Sequence, residues 1–130
     1  MAIEVKRRGE ASADVVWQRY TTPALWSRWA PQIRGAAFDT ENITPGQQGT
    51  VRAWPAGSVE VRIVDVDHAQ MRWTWEVTSV HPVRMEHGVD PLPDGGSVAW
   101  MRADLPGPLG VLYSPIAGLA LRRLVSADAL

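Results

Sequence analysis

The side chains best suited to binding or catalysis in this sequence are tryptophans and histidines. The chain has seven Trp against two Tyr and one Phe, and it has three His. An indole ring is large and rigid and carries one hydrogen-bond donor. Several indoles can line a pocket for a flat, apolar or aromatic molecule, or they can simply fill a core. Composition alone leaves both interpretations open.

The clearest strand pattern in the sequence carries two of these rings. Apolar and polar residues alternate over residues 71–77, which predicts a strand with one buried face. Trp73 and Trp75 share that face because successive side chains of a strand point to opposite sides. Residues 83–89 alternate in the same way and predict a neighbouring strand.

His87 has the parity of the apolar residues in its strand, so its imidazole is predicted to point to the interior. A histidine in an apolar pocket can orient a ligand or transfer protons. It can equally be a neutral core residue that bonds to backbone or water. His68 and His81 lie in predicted turns and are expected to be exposed.

The candidate ligand-binding residues are the large side chains expected to face the interior from the strands, the second helix and the C-terminal helix. They are Trp29, Trp54, Met71, Trp73, Trp75, Met85, His87, Trp100, Leu112, Ile116 and Leu119. His87 is also the candidate catalytic residue.

Charged residues on the same strands have the opposite parity. They are expected to form cross-strand ion pairs on a solvated convex face. This set comprises Glu60, Arg62, Arg72, Glu76, Arg84 and Glu86. For Arg52 and Arg102 a second orientation stays open. A shift of one residue in register would turn either guanidinium inward, where it could bind a carboxylate or enolate.

Helix signals follow a first predicted strand over residues 3–10. Ser12 is a typical N-cap, and Asp14 lies in the first turn, where the helix dipole favours an acid. Thr22 and Pro23 predict the cap and first position of a second short helix, and Pro31 ends it.

Six further strands and a closing helix complete the pattern. The strands are predicted at residues 35–41, 50–54, 59–63, 71–77, 83–89 and 97–105. Consecutive strands with tight turns form an antiparallel sheet. The C-terminal helix is predicted from the spacing of Leu109, Leu112, Ile116, Leu119 and Leu124. Pro115 leaves two starts open: a helix from Ser114, after a turn or a separate short helix, or one longer helix.

The fold class predicted is α+β, with a curved antiparallel sheet of six or seven strands wrapped around the C-terminal helix. The 130 residues fit one domain spanning 1–130. A net charge of −1 predicts no binding to nucleic acid, and no window reaches the roughly 18 apolar residues of a membrane span. With no Cys and three scattered His, no metal and no cofactor are expected. A cytoplasmic location is expected, because the N-terminus lacks the apolar run of a signal peptide.

Several motifs, in this order, resemble the START-like superfamily of helix-grip ligand-binding domains. In particular, the sequence looks like bacterial proteins of the polyketide cyclase/dehydrase type. The matching stretches are residues 12–17 at the first helix, 25–31 at the second, 43–49 in the next loop, 64–67 and 72–75 in one hairpin, 95–97 in a turn, and 105–110 before the closing helix. Together they cover nearly the whole chain.

The resemblance implies three alternative functions. The first is binding of a hydrophobic small molecule, such as a lipid or polyketide, in an aromatic-lined cavity. The second is a cyclase, aromatase or dehydratase in which His87, with an Arg or Tyr, moves protons. The third is a protein-interaction module similar to the co-chaperone-like branch of the superfamily.

One departure from the family pattern concerns the closing helix. In the family this helix is usually longer, whereas here Ser126-Ala127-Asp128 interrupts it. We therefore expect one end of the sheet or pocket to be open. A partner subunit in a homodimer could cover it.

Overall fold

The computed structural model describes residues 2–54, 57–78 and 81–130. Seven strands form a single curved antiparallel sheet in the order β1-β7-β6-β5-β4-β3-β2. Their bounds are β1 Ala2–Gly9, β2 Ile33–Ala37, β3 Gln48–Ala53, β4 Gly57–Asp67, β5 Arg72–Thr78, β6 Val83–Pro91 and β7 Ser97–Asp104. The α+β helix-grip class and the antiparallel sheet are thus confirmed.

Two short helices follow β1. Helix α1 spans Ala13–Thr21, and the Ser12 hydroxyl accepts a hydrogen bond from the backbone N–H of Val15 at 3.3 Å, as predicted for its N-cap. A 3-10 turn at Pro23–Leu25 then leads into α2, Trp26–Trp29.

Thr22 and Pro23 occupy the predicted cap and first positions of this 3-10 turn. No side-chain cap bond forms there. The Thr22 hydroxyl instead accepts a hydrogen bond from the Asn42 amide at 3.1 Å. The hydroxyl therefore ties the helix to the loop before β3.

The C-terminal helix α3 runs without a break over Gly107–Leu124, with Pro115 inside it. The longer of the two predicted starts is therefore correct. Proline removes the bond to the carbonyl four residues earlier, which here belongs to Val111. Val111 is 72% exposed, so water can reach this end of the helix. None of the helices within the described residues is long and apolar enough to span a membrane.

The core lies between the concave face of the sheet and helices α1 to α3. Cross-strand pairing brings Trp73 opposite His87 and Trp75 opposite Met85, and it continues from His87 to Met101 on β7. These side chains share one face because the pairs are in register. The predicted inward parity of residues 71–77 and 83–89 is therefore correct, except at residue 71.

The convex face carries the charged residues, as predicted. Arg84 pairs with Glu76 at 3.4 Å, and Arg102 pairs with Glu4 at 2.7 Å and Glu86 at 3.7 Å. The Arg102 guanidinium therefore points away from the interior. The exposed Arg52 side chain lies beside Gly35 on the neighbouring strand. Exposed pairs of this kind contribute little to stability.

Candidate ligand-binding site

An aromatic cluster fills the centre of the concave face. The rings of Trp73 and His87 stack with centroids 3.9 Å apart and planes inclined by only 9°. Trp26 stacks on Trp73 with centroids 5.6 Å apart, and Trp75 meets His87 edge-on at 5.8 Å. Tyr20, from α1, approaches Trp73 at 5.8 Å. The sheet and both short helices thus converge on one set of rings.

The indole N–H groups of this molecule divide into two kinds. Trp26 donates to the backbone carbonyl of Tyr20 at 2.8 Å, and Trp29 donates to that of Arg19 at 3.2 Å. By contrast, the buried Nε1 atoms of Trp73 and Trp75 have no hydrogen-bond partner among the described residues. Buried donors nearly always have one.

A small cavity of about 40 Å³, here called the inner chamber, is lined by Trp73 and Trp75, which carry these unpartnered atoms. Its walls come from the aromatic cluster, from the turn after α2 and from α3. They are Tyr20, Trp26, Trp29, Ala30, Gln32, Ile33, Trp73, Trp75, His87, Met101, Tyr113, Ala117, Ala120 and Leu121. The volume is enough for a water-sized group or a few of them.

His87 forms part of this wall as a neutral imidazole. Burial lowers its pKa to about 3, and a backbone hydrogen bond with Trp73 only partly opposes the shift. An efficient general base has a pKa near the working pH. His87 is therefore better suited to accepting or donating a hydrogen bond than to transferring protons near neutral pH.

Two tyrosines around the chamber also stay uncharged. Burial raises the pKa of Tyr20 well above its ordinary value, and the phenol donates to the backbone carbonyl of Trp100 at 3.0 Å. Burial likewise raises the pKa of Tyr113, whose hydroxyl accepts a hydrogen bond from Gln32 at 3.4 Å. No charged side chain is found in the wall formed by the described residues.

A larger cavity of about 360 Å³, here called the outer groove, lies between β3 to β6 and the first half of α3. All but two of its lining side chains are apolar. The lining is Gln32, Ile33, Val51, Ala53, Trp54, Val59, Trp75, Val77, Met85, Leu105, Leu109, Leu112, Tyr113 and Ile116. Trp54, Leu109 and Leu112 are exposed and form an apolar rim at its mouth. The size is typical of small-molecule sites.

The two cavities adjoin each other. Gln32, Ile33, Trp75 and Tyr113 line both of them. These four residues are the partition between the apolar outer groove and the inner chamber. Gln32 and Tyr113, the two polar residues of the groove lining, both lie at this partition, together with the indole N–H of Trp75.

Eight of the eleven predicted site residues line one of the cavities. Trp29, Trp73 and His87 face the inner chamber, and Trp75 faces both cavities. The other four of these eight residues line the outer groove. They are Trp54, Met85, Leu112 and Ile116. Whether a ligand binds at these residues stays a prediction.

The other three predicted residues do not line either cavity. Trp100 alternates with the buried Ala99 and Met101, so its ring lies on the convex face, under the Arg72 guanidinium at 5.1 Å. Trp100 was predicted to face the interior, but the inward residues of β7 are the odd-numbered ones, so alternation turns its ring outward.

Met71 and Leu119 lie outside the two cavities for different reasons. Met71 lies in the turn before β5 with a φ of 58°, which breaks the alternation one residue before the strand begins. Leu119 is 44% exposed because α3 turns a different face to the sheet. That face consists of Gly110, Ala117, Gly118, Ala120, Leu121 and Leu124.

Sequence reasoning missed several wall residues. The spacing of Trp26 and Trp29 by three positions put both on one helix face, so Trp26 could have been included. Tyr113, Ala117 and Ala120 have helical spacing as well, but small residues give a weak apolar signal. Gln32 follows α2 in a turn, and no local pattern marks it.

Metal-binding groups are not assembled at this site. Within the part of the chain that the structure describes, no three His, Asp or Glu side chains come together as a metal site. The arrangement instead combines an apolar groove with a few uncharged polar atoms. Such a combination can bind and orient an organic molecule.

A sheet gripping a C-terminal helix, with a cavity between them, defines the helix-grip class of proteins. Comparison with protein families matches residues 2–129 to the family described as polyketide cyclase / dehydrase and lipid transport. The chain belongs to this family, as the resemblance of its motifs predicted. A comparison with curated proteins found no match.

Proposed function

We propose that this protein binds an uncharged, apolar small molecule in the outer groove and does not act on it by acid–base chemistry. The observation that carries the proposal is the groove itself, about 360 Å³ and lined almost entirely by apolar side chains. Moving the apolar surface of a ligand from water into such a groove is favourable by about 25 cal/mol per Å². The family description, which includes lipid transport, supports the same class of ligand.

The neutral state of His87 favours binding over catalysis. With a pKa of about 3, the imidazole is almost fully unprotonated at neutral pH and is a weak base. One face of its ring is covered by Trp73, and Trp75 makes an edge contact with it. The polar atoms of the site are therefore suited to orienting a ligand.

A fluorescent apolar probe, N-phenyl-1-naphthylamine, tests the proposal. We expect the wild-type protein to bind it saturably with an increase in fluorescence. Ile116→Glu places a carboxylate in the groove and is expected to weaken binding by about tenfold or more, because a buried charge without a partner is costly.

Leu119→Glu is the matched control for this experiment. Leu119 is on the same helix but outside both cavities, so the same substitution there should leave the affinity within about twofold. Equal losses in the two variants, or no saturable binding by the wild type, would contradict the proposal.

We also propose that two copies of the chain associate through the rim of the groove when it holds no ligand. The apolar side chains of Trp54, Val111 and Leu112 are exposed near the mouth. Contiguous exposed apolar surface is typical of binding sites for ligands or for other proteins.

A further inference from the structure

Four residues that line the inner chamber carry buried polar atoms without hydrogen-bond partners among the described residues. The buried atoms are the Nε1 groups of Trp73 and Trp75, the Nδ1 of His87 and the Oε1 of Gln32, and none has a hydrogen-bond partner among the described residues. All four residues line this one cavity of about 40 Å³. Since buried polar atoms are nearly always satisfied, their concentration at one place points to a group that the site is built to receive.

The three aromatic residues of this set lie deep in the core, whereas Gln32 is half-buried. Trp73 is 2% exposed, and Trp75 and His87 are each 8% exposed. Their rings are packed together, with Trp73 and Trp75 centroids 5.4 Å apart and Trp73 stacked on His87 at 3.9 Å. Each ring is held by its neighbours, so the chamber presents its polar atoms in a fixed arrangement.

The kinds of atom in the chamber define the chemistry of the group that fits. The two indoles can only donate hydrogen bonds, whereas the Gln32 carbonyl oxygen can only accept them. The His87 Nδ1 accepts or donates according to the tautomer. A hydroxyl group matches this set because it accepts two hydrogen bonds and donates one.

An anionic group fits the same chamber poorly. The wall formed by the described residues contains no cationic side chain, and the imidazole of His87 is neutral. The Gln32 carbonyl oxygen would face a carboxylate without a proton between them. Burying an ion without a countercharge costs far more than burying a hydroxyl.

We infer that the protein selects amphiphiles with a terminal neutral hydroxyl, an alcohol or phenol, whose hydroxyl enters the inner chamber while the apolar body lies in the outer groove. This inference rests on the proposed binding function. The shared partition of Gln32, Ile33, Trp75 and Tyr113 allows one molecule to contact both cavities.

Three probes with the same carbon chain test the selection. We expect 1-octanol to bind about threefold to tenfold more tightly than octane after correction for their different transfer from water, since a hydrogen bond to a buried partner has that net value. Octanoate at pH 8 should bind at least about tenfold more weakly than 1-octanol because its charge must be desolvated. Competition against N-phenyl-1-naphthylamine provides the affinities.

Trp→Phe variants, which remove the N–H together with one of the two indole rings, identify the chamber by comparison with each other. Trp75→Phe keeps an aromatic ring but loses the N–H donor. It should reduce the affinity for 1-octanol by about threefold to tenfold and change the affinity for octane much less. Trp54→Phe, in the outer groove, should affect both probes equally. Trp100→Phe removes an indole on the convex face and should change neither affinity.

Indole NMR signals of wild-type protein provide a readout that does not depend on how well a variant folds. With ¹⁵N-labelled tryptophan, 1-octanol should move the Trp73 and Trp75 N–H signals downfield, and octane should not. Equal affinities for 1-octanol and octane, or unchanged Trp73 and Trp75 signals, would overturn the inference and leave groove binding intact. If none of the three probes competes, the proposed function itself fails.

Discussion

At the scale of single residues, His87 shows how packing determines the role of a titratable group. The imidazole is enclosed by Trp73, Trp75 and Tyr20, and no charged side chain lines the adjoining chamber among the described residues. Burial favours the neutral form and lowers the pKa to about 3. The sequence predicted that the ring lies on the inner face of the sheet. It did not predict that packing would exclude water from the ring.

The lowered pKa of His87 makes stability depend on pH in a specific window. In the unfolded chain the group takes up a proton below about pH 6.5, whereas in the folded protein it does so only near pH 3. The unfolded state therefore binds more protons between these values, and the free energy of unfolding falls as the pH is lowered through them. Above pH 6.5 this group has no such effect.

We expect protonation of His87 in the unfolded chain to lower the free energy of unfolding by about 2 kcal/mol when the pH is lowered from 7 to 5. In His87→Gln that contribution should disappear, because the variant has no proton to take up at this position. Urea titrations of both proteins at the two pH values measure the difference. An identical pH dependence in wild type and variant would show that His87 is not kept neutral by the fold.

At the scale of elements, helix α3 packs through its small residues. The face turned inward includes Gly110, Ala117, Gly118 and Ala120. A Cβ added at Gly118 would meet only the flexible end of the exposed Arg7 side chain, whereas one added at Gly110 would lie 3.1 Å from the Ile3 side chain on β1, a tight contact. Of the residues whose apolar spacing predicted the helix, Leu109, Leu112 and Ile116 line the groove and Leu124 is buried. Only Leu119 lies outside, because the small residues occupy the face that packs most closely.

The end of α3 is fixed by an arginine from α1. Arg19 donates hydrogen bonds to the backbone carbonyls of Leu124 at 2.9 Å, Ser126 at 2.8 Å and Asp128 at 3.2 Å. These carbonyls follow or end the helix and have no helical partners. The planar guanidinium can reach several acceptors at once. One side chain thus holds the C-terminal segment against the domain core.

We expect Arg19→Met to lower the free energy of unfolding by about 2–4 kcal/mol, because the buried carbonyls lose charge-assisted hydrogen bonds. Arg122→Met, at an exposed position of α3, is the matched control and should change stability by less than about 0.5 kcal/mol. Urea denaturation of the two variants provides the comparison. Similar stabilities would mean that Arg19 does not hold the segment.

At the scale of the whole molecule, the outer groove opens at one end of the sheet. The mouth carries the exposed side chains of Trp54, Leu109 and Leu112, and Val111 is exposed on the same stretch of α3. The sequence predicted an open end because Ser126-Ala127-Asp128 interrupts the closing helix, but the groove opens beside the first half of α3 and not at its C-terminal end. The exposed rim is available either to a ligand or to a second copy of the chain.

We expect the ligand-free protein to show a concentration-dependent dimer in sedimentation velocity experiments. Val111→Asp should shift it toward the monomer, because a charge at this exposed position, next in sequence to Leu112 of the rim, opposes burial of the apolar surface. Leu119→Asp, outside the groove, should leave the distribution unchanged. A wild-type protein that stays monomeric at every concentration would contradict the homodimer proposal.

Much of the fold was predictable because its signals are local. The alternation along residues 71–77 and 83–89 identified two central strands, and Ser12 marked the start of α1. The family motifs supplied the topology. Where a local prediction failed, a tertiary contact was formed in place of the local one. The Thr22 hydroxyl, for example, bonds to Asn42 and not to a backbone N–H of the turn that follows it.

The sequence by itself determined the helix-grip fold, the inward orientation of Trp73, Trp75 and His87, and the charged convex face. Periodicity and turn chemistry are properties of neighbouring residues, so they can be read along the chain. Only the tertiary structure decided that those rings leave a small polar chamber beside an apolar groove, and that Trp100 and Leu119 stay outside. Cavity shape and unpartnered atoms arise from how distant elements fit together, and no local pattern encodes that fit.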